Sequence, residues 1–236
     1  MAAVRRVALV TGATGLLGRV VTAELAGDDR RLGLIGSDGA RLDALVAELG
    51  VGPDASFTHA ADLRDARATA AAVEAVLARF GRLDIVIHAI GGWSGGTPVS
   101  EVDPAEFATM LDQHFWTSLN VLQATVPTLV KAGWGRILAA SSPVAMDPAP
   151  KLGPYAVAKA AQETLFATVA REVAGTGVTA NVVLVRSIRA ATSGEPAAGG
   201  DRGTSPEQIS ATLRWLASDA AGAVNGARIP LYAATA

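Results

Sequence analysis

A glycine-rich turn between a first predicted strand and a first predicted helix constrains the fold of this chain more than any other feature. The apolar run that ends at Val10 leads directly into residues 11–18, TGATGLLG, and apolar residues at helical spacing follow. Glycines here let the backbone turn sharply, and free N–H groups at a helix start can face phosphate. The position of the turn favours dinucleotide binding over a purely structural turn. The residues predicted to bind are Gly12, Thr14, Gly15, Leu16, Leu17 and Gly18.

Short aliphatic or β-branched runs alternate with longer Ala- and Leu-rich segments along the whole chain. The alternation predicts an α/β fold, a doubly wound parallel sheet of about seven strands with helices on both faces. The length of 236 residues, half of them apolar, predicts one domain over residues 1–236. Predicted strands lie near 5–10, 31–36, 55–60, 83–89, 134–140, 178–184 and 227–232. Predicted helices lie near 15–26, 38–49, 65–80, 104–131, 154–175 and 206–218.

Two helix starts and one low-complexity segment stand out in the second half. Asp103 and Ser205 each precede a proline and are followed three residues later by Glu106 and Gln208, which predicts capped helix N-termini. The stretch at about 189–205 is rich in Ala, Gly and Ser. Because only about thirty residues follow it, too few for a domain, we interpret it as a flexible flap over a site and not as a linker.

Composition excludes several classes of function. The chain has no cysteine, so disulfides, thiolate catalysis and Cys-ligated zinc are excluded, and its three histidines lack metal-ligand spacing. A net charge of -2 gives no basic surplus for nucleic acid. The apolar run at residues 7–10 is too short for a signal peptide or a membrane span. We therefore expect a soluble cytoplasmic protein that binds no metal, nucleic acid or membrane.

Residues 142–159 hold a hydroxyl, a phenol and an amine in one short span. Tyr155 and Lys159 are four residues apart on a predicted helix, so their side chains share one face. A cation beside a phenol lowers its pKa, which suits proton transfer near neutral pH, and Ser142 could orient a substrate oxygen. The alternative is a helix with one packed aromatic residue and one solvated lysine.

The end of the second predicted strand bears on the choice of cofactor. A carboxylate there binds the ribose diol of NAD, whereas Arg or Ser accommodates the 2'-phosphate of NADP. Gly36 offers no carboxylate, while Ser37 and Arg41 suit phosphate. Asp38 either binds the diol or caps the next helix. The balance favours NADP over NAD.

Further predicted cofactor-binding residues follow the next two strands. Asp62 and Leu63 follow the third strand, where Asp62 either contacts adenine or caps a helix. Ala89, Ile90 and Gly91 follow the fourth strand.

These motifs together resemble the short-chain dehydrogenase/reductase family. The shared features are the glycine turn, Asp62, the His-Ala-Ile-Gly sequence ending at Gly91, Ser142, and Tyr155 with Lys159. The resemblance spans essentially the whole chain and implies a Rossmann-like sheet that binds NAD(P). It also implies that Tyr155 is the general acid/base, that Lys159 lowers its pKa and holds the nicotinamide ribose, and that Ser142 polarises a substrate carbonyl. The glycine spacing is similar to that of a longer, epimerase-like subgroup.

Two histidines depart from the family pattern. His88 begins His-Ala-Ile-Gly where the family has Asn-Asn-Ala-Gly, and we expect it to be a buried structural histidine. His114 stands where the family has a catalytic Asn that binds a water in a proton relay. His114 either sustains or alters this relay, because imidazole donates, accepts and titrates, or it fills space and satisfies a backbone carbonyl.

The segment after the sixth strand departs as well. Val185 and Arg186 replace the family's Pro-Gly, and Arg186 and Arg189 either bind an anionic group or point to solvent. The backbone of Ile188 is expected to hold the nicotinamide carboxamide. Trp93, Pro143 and Met146, with Arg186 and Arg189, are the predicted substrate-pocket residues.

The expected function is hydride transfer between NADP or NAD and a carbonyl or alcohol of a small, hydrophobic molecule. A non-redox relative, meaning an isomerase, lyase, cyclase or ligand-sensing module in the same cleft, is the alternative, motivated by His114 and Arg186. Small residues on the helices near 104–131 and 154–175 predict a homodimer or homotetramer, because these helices pair across a two-fold axis in related proteins.

Overall fold

All strands in the described part of the chain belong to one parallel sheet. The computed structural model describes residues 5–26, 30–188 and 203–232. The seven strands have the order β3-β2-β1-β4-β5-β6-β7, and every pair is parallel. They are β1 (Val7–Thr11), β2 (Arg31–Gly36), β3 (Ser56–Ala60), β4 (Ile85–His88), β5 (Gly135–Ser141), β6 (Val178–Leu184) and β7 (Arg228–Pro230). The predicted α/β sheet is confirmed.

The helices follow the strands in the predicted alternation. They are α1 (Leu16–Ala26), α2 (Gly39–Leu49), α3 (Ala66–Phe80), α4 (Pro104–Leu111), α5 (Thr117–Ala132), α6 (Gly153–Glu172) and α7 (Pro206–Leu216). Short 3₁₀ turns occupy Pro143–Ala145 and Asp219–Ala221. Both predicted helix caps are confirmed, since Asp103 accepts from the Ala105 N–H and Ser205 forms a capping box with Gln208. In the described ranges, no helix is long and apolar enough to cross a bilayer.

The single long helix predicted over 104–131 is wrong, because a π-helical turn at Asp112–Trp116 separates α4 from α5. Two hydroxyls bind carbonyls of this turn: Thr117 Oγ1 donates to Gln113 O at 2.7 Å and Ser118 Oγ donates to His114 O at 2.6 Å. A π turn adds one residue per turn and rotates the side chains it carries, and it is often found at functional sites.

Each face of the sheet has its own apolar core. Alternate residues of β1 supply Val7 and Leu9 to one face and Ala8 and Val10 to the other. On the first face α3, α5 and α6 pack, and on the second α1, α2 and α7. This two-sided burial explains why the strands read as continuous apolar runs.

The strand order places a crevice above β1 and β4. From β1 the chain moves outward to β2 and β3, then returns to β4 on the other side of β1. The loops after β1 and β4 therefore diverge, and ligands of open α/β sheets bind at such a point. Close packing of α1 above β1 requires Gly18, because a Cβ there would lie 2.1 Å from the Gly12 carbonyl oxygen.

We expect Gly18→Ala to lower the free energy of unfolding by about 1 to 3 kcal/mol, as overpacking does, and to weaken dinucleotide binding. Gly39→Ala is the matched control, because its added methyl would meet only the Ala60 Cβ at 3.7 Å. Urea unfolding of both variants is the measurement. Equal stability of Gly18→Ala and the wild type would contradict the packing described for the turn.

Candidate active site

A cleft of about 640 Å³ opens at the carboxyl ends of β1 to β4. Loops after four successive strands line it, so the topology of the sheet sets its position. The lining residues are Gly12, Thr14, Gly15, Gly36, Ser37, Ala60, Ala61, Asp62, Leu63, Arg64, Ala89, Ile90, Gly91, Gln113 and Thr117. Most of the predicted dinucleotide-binding residues come together here.

The backbone of the glycine turn leaves room for a ligand to approach. Gly12 has φ 72°, which side chains rarely adopt, and a Cβ there would lie 3.0 Å from the Ala89 carbonyl oxygen. The turn thus lies against the loop after β4 and leads into the N-terminus of α1. Unpaired N–H groups of a helix N-terminus suit a pyrophosphate, so this part of the cleft fits a dinucleotide.

The residues that bear on cofactor choice lie at the tip of β2. Asp38 caps α2, and its carboxylate accepts from the Arg41 N–H at 3.2 Å. The Arg41 guanidinium donates to the Thr14 carbonyl at 3.2 Å, which keeps its charge beside the glycine turn. Ser37 is exposed and lines the cleft.

Asp62 lines the cleft after β3 and binds the Arg64 side chain. Hydrogen bonds from the side chain and backbone of Arg64 lower the pKa of the Asp62 carboxyl. The alternative that Asp62 caps the following helix is wrong, because Asp65 caps α3.

His88 is buried, as the sequence predicted. Its Nδ1 lies 2.8 Å from Thr11 Oγ1 and its Nε2 lies 3.3 Å from Thr117 Oγ1. Because Thr117 gives its only proton to Gln113 O, it accepts from His88, so Nε2 carries the hydrogen. Burial lowers the pKa of His88 to about 3, with a smaller effect of the Lys159 charge. His88 is therefore a neutral link between β1, β4 and α5.

Ser142 and Tyr155 lie together beside the cleft. Ser142 follows β5, and Tyr155 lies in the first turn of α6. Burial raises the pKa of the Tyr155 phenol, and a hydrogen bond with Ser142 opposes that change. The sequence predicted a lowered pKa, so the direction is corrected: in this structure burial outweighs the favourable groups around the phenol.

Lys159 is only 4% exposed. Its ammonium donates to the Ala140 carbonyl at 2.9 Å and to Gln162 Oε1 at 3.0 Å. Burial lowers the pKa of Lys159 to about 7, while the Glu163 charge opposes the shift. The alternative of a solvated lysine is therefore wrong.

His114 lies in the π-helical turn, and its ring makes a T-shaped contact with the Tyr155 ring, with the centroids 5.6 Å apart. Its Nε2 lies 3.1 Å from the Gly92 carbonyl oxygen, and its buried Nδ1 has no hydrogen-bond partner. Burial, with the Lys159 charge, lowers the pKa of His114 to about 3, so the ring is neutral. Gln113 Oε1, also buried and unpartnered, lines the cleft beside it. Unpaired buried polar atoms are costly, and two of them fit a site that binds a polar ligand.

The predicted substrate-pocket residues differ in environment. Trp93 and Met146 are 66% and 71% exposed, and Pro143 is half-buried. Arg186 lies over the Tyr232 ring, with its guanidinium carbon 5.0 Å from the centroid.

Two further predictions concern the segment after β6. Ile188 forms an isolated bridge with Thr204. Arg189 and most of the predicted flap, residues 189–202, lie outside the described residues.

Sequence reasoning missed several residues of the site. Gly36, Ala60, Ala61, Arg64, Gln113 and Thr117 line the cleft, and Gln162 binds Lys159. Sequence patterns carry no signal for Gln113 and Thr117, because the orientation of their side chains depends on the π turn. A polar residue three positions after Lys159 was the available signal for Gln162. Within the described ranges, no cluster of three or more His, Asp or Glu could hold a metal ion.

Comparison with known proteins defines the class. The family model described as short chain dehydrogenase matches residues 6–197. A D-threitol dehydrogenase of Mycolicibacterium smegmatis is 29% identical over 94% of this chain and 89% of its own length. The (2S)-[(R)-hydroxy(phenyl)methyl]succinyl-CoA dehydrogenase subunit BbsC of Thauera aromatica is 30% identical over 94% of this chain and 90% of its own length.

Solved structures agree with this assignment. A short-chain type dehydrogenase/reductase from Mycobacterium ulcerans superposes with a TM-score of 0.88 at 27% identity, covering 96% of this chain and 88% of its own. An NAD+-bound xylitol dehydrogenase superposes with a TM-score of 0.87 at 20% identity, covering 98% and 100%, which supports the fold alone. The chain belongs to the short-chain dehydrogenase/reductase family. It is an NAD(P)-dependent oxidoreductase with a Rossmann-like fold.

The buried ammonium predicts a pH-dependent cost in stability. Because the pKa of Lys159 is lowered from 10.5 to about 7, the folded chain binds fewer protons than the unfolded chain between these values. Above the unfolded-state pKa, Lys159 is neutral in both states and its burial does not lower the free energy of unfolding. As pH falls from there to the folded-state pKa, only the unfolded chain gains the proton, so the free energy of unfolding decreases.

We expect Lys159→Met to be more stable than the wild type near about pH 6, by an amount on the order of a few kcal/mol that fades toward high pH. Urea unfolding across this range is the measurement. Lys131→Met, a change at an exposed lysine, is the control. A stability difference between Lys159→Met and the wild type that is constant with pH would contradict the lowered pKa.

Proposed function

We propose that the enzyme transfers hydride between NADP(H) and the carbonyl or alcohol carbon of a small hydrophobic molecule. The observation that carries the proposal is the grouping of Ser142, the half-buried Tyr155 phenol and the buried Lys159 ammonium at the carboxyl end of the sheet, beside the cleft.

The three side chains have complementary chemistry. The nicotinamide cofactor, when bound, supplies or accepts the hydride. Tyr155 gives a proton to the substrate oxygen in reduction and takes it back in oxidation. Ser142 donates a hydrogen bond to the same oxygen. Lys159 favours the phenolate by its positive charge and offers its remaining proton to the cofactor ribose. Ile188 would hold the carboxamide through its backbone.

Three features support NADP over NAD. Asp38 is engaged as a helix cap, which leaves it less available to a ribose diol. Ser37 at the rim of the cleft and Arg41, held beside the glycine turn, together offer a hydroxyl and a positive charge to a 2'-phosphate. Two structural relatives are described with NAD+ or NADH, so this preference separates the chain from them.

Exposed apolar side chains support a hydrophobic substrate. Trp93 and Met146 are both largely exposed, on the loops that follow β4 and β5. Apolar side chains of this size are usually buried, so their exposure suits contact with an apolar ligand. Named relatives act on a polyol and on a phenyl-bearing thioester, and the exposed residues favour the second type of compound.

We also propose a homodimer or homotetramer. Trp116 in the π turn and Val157 on α6 are 46% and 47% exposed, on the two helical segments expected to pair across a two-fold axis.

The central proposal predicts the effect of removing one hydroxyl. Tyr155→Phe should reduce turnover of a panel of carbonyl compounds by about 10²- to 10⁴-fold, as loss of a general acid does, while NADPH affinity changes little. Tyr232→Phe is the matched control, because Tyr232 is the only other tyrosine. Full activity of Tyr155→Phe would overturn the mechanism and favour a non-redox reaction in the same cleft.

His114 is proposed to act in proton exchange as a neutral imidazole through its unpartnered Nδ1. His114→Phe keeps an aromatic ring beside Tyr155 and removes both nitrogens, whereas His114→Asn restores a neutral donor and acceptor. We expect His114→Phe to lower kcat by about 10²-fold and His114→Asn to recover most of it. The pH profiles should show no histidine step between about pH 5 and 8, because the pKa of His114 is about 3. Equal activity of His114→Phe and the wild type would leave the ring a structural role only.

A further inference from the structure

A continuous chain of hydrogen bonds leads from Lys159 into the π-helical turn. Lys159 Nζ donates to Gln162 Oε1 at 3.0 Å, and Gln162 Nε2 donates to Ser118 Oγ at 2.9 Å. Ser118 Oγ donates in turn to the His114 carbonyl oxygen at 2.6 Å. All four residues are buried. The chain therefore joins α6 to the turn between α4 and α5 without contact with solvent.

The chemistry of the groups fixes the direction of every bond. An ammonium only donates, so Gln162 must present its carbonyl oxygen to Lys159 and its NH₂ group to Ser118. The single hydroxyl proton of Ser118 goes to His114 O, so Ser118 accepts from Gln162. All donors thus point away from the positive charge, an arrangement in which each bond polarises and strengthens the next.

Gln162 is an unusual residue to bury here. Apart from Lys159 and Glu163, the other buried residues of α6 are apolar, for example Ala158 and Phe166. An apolar residue at 162 would pack well but would leave the buried ammonium with the Ala140 carbonyl as its one described acceptor. A buried charge is costly unless hydrogen bonds compensate it, so Gln162 compensates a specific cost of the site.

The chain of bonds holds a proton donor in place but does not carry protons away. It ends at a peptide carbonyl, which accepts a hydrogen bond and has no proton to pass on. Exchange of the Lys159 proton must therefore proceed on its other side, toward Tyr155 and the cleft.

We propose that Gln162 and Ser118 are positioning residues that hold the Lys159 ammonium and tie it to the π-helical turn that carries His114. This inference rests on the proposed function and adds to it the support of the lysine. It makes the position of Lys159 dependent on α5 as well as on its own helix.

Several titratable groups surround Lys159 and bear on its pH response. Glu163 on α6 raises the pKa of Lys159, while Tyr155 lies one turn earlier on the same helix. His114 in the π turn and His88 on β4 interact with its charge, but both are neutral because their pKa values are about 3. Because the Gln162 acceptor stabilises the charged form, its removal should lower the pKa of Lys159 further.

The test compares Gln162→Met, Ser118→Ala and Thr125→Val. Thr125→Val is the matched control, because the buried Thr125 hydroxyl on α5 donates to the Val121 carbonyl at 2.7 Å. Thr125 does not belong to the hydrogen-bond chain that starts at Lys159. NADPH affinity and urea unfolding are each measured as a function of pH. The unfolding series reports the titration of Lys159 even if no substrate or cofactor binds, so failure of this inference is distinguishable from failure of the proposed function.

We expect the pH midpoint for loss of NADPH affinity to fall by about one unit in Gln162→Met, which is about tenfold weaker binding above the midpoint. In the same variant, the free energy of unfolding should begin to increase with pH at a lower pH than in the wild type. Ser118→Ala should shift both midpoints in the same direction, and Thr125→Val should shift neither. If Gln162→Met does not fold, Ser118→Ala alone decides. Midpoints in Ser118→Ala equal to those of Thr125→Val would overturn the inference.

Discussion

A buried ammonium is the constraint around which the active end of this sheet is arranged. Lys159 is almost fully removed from water, and the charge is sustained by the Ala140 carbonyl, the Gln162 amide and the nearby Glu163. Such burial lowers the free energy of unfolding, which is a common cost of functional sites. Tyr155, the residue that we propose as the proton donor, lies one turn before Lys159 on α6.

The sheet determines what lies next to this charge. The reversal of strand order between β1 and β4 opens the cleft, and β5 delivers Ser142 and the Ala140 carbonyl on its far side. Gly12 and Gly18 let the first turn pack closely against its neighbours, where a side chain would clash. The cleft would hold the dinucleotide, and Ser142, Tyr155 and Lys159, which we propose act on the substrate, follow from β5 and α6 on the same sheet.

Local sequence patterns specify several features, so these could be predicted. They are the order of strands and helices, the glycine turn, the helix caps at Asp103 and Ser205, and the burial of His88. The π turn could not, since hydrophobic periodicity gives one helix over 104–131, whereas hydroxyl-to-carbonyl bonds from Thr117 and Ser118 accompany the break. The raised pKa of Tyr155 and the role of Gln162 were missed because both depend on burial, which spacing alone does not report.

Calorimetric titration of the wild-type protein with NADPH and with NADH tests the proposed NADP(H)-dependent oxidoreductase function. We expect saturable binding of NADPH with a Kd between about 1 μM and 1 mM, the usual range of enzyme ligands, and weaker binding of NADH. Tighter binding of NADH would contradict the assignment of Ser37 and Arg41. Binding of neither cofactor at millimolar concentration would contradict the oxidoreductase function itself.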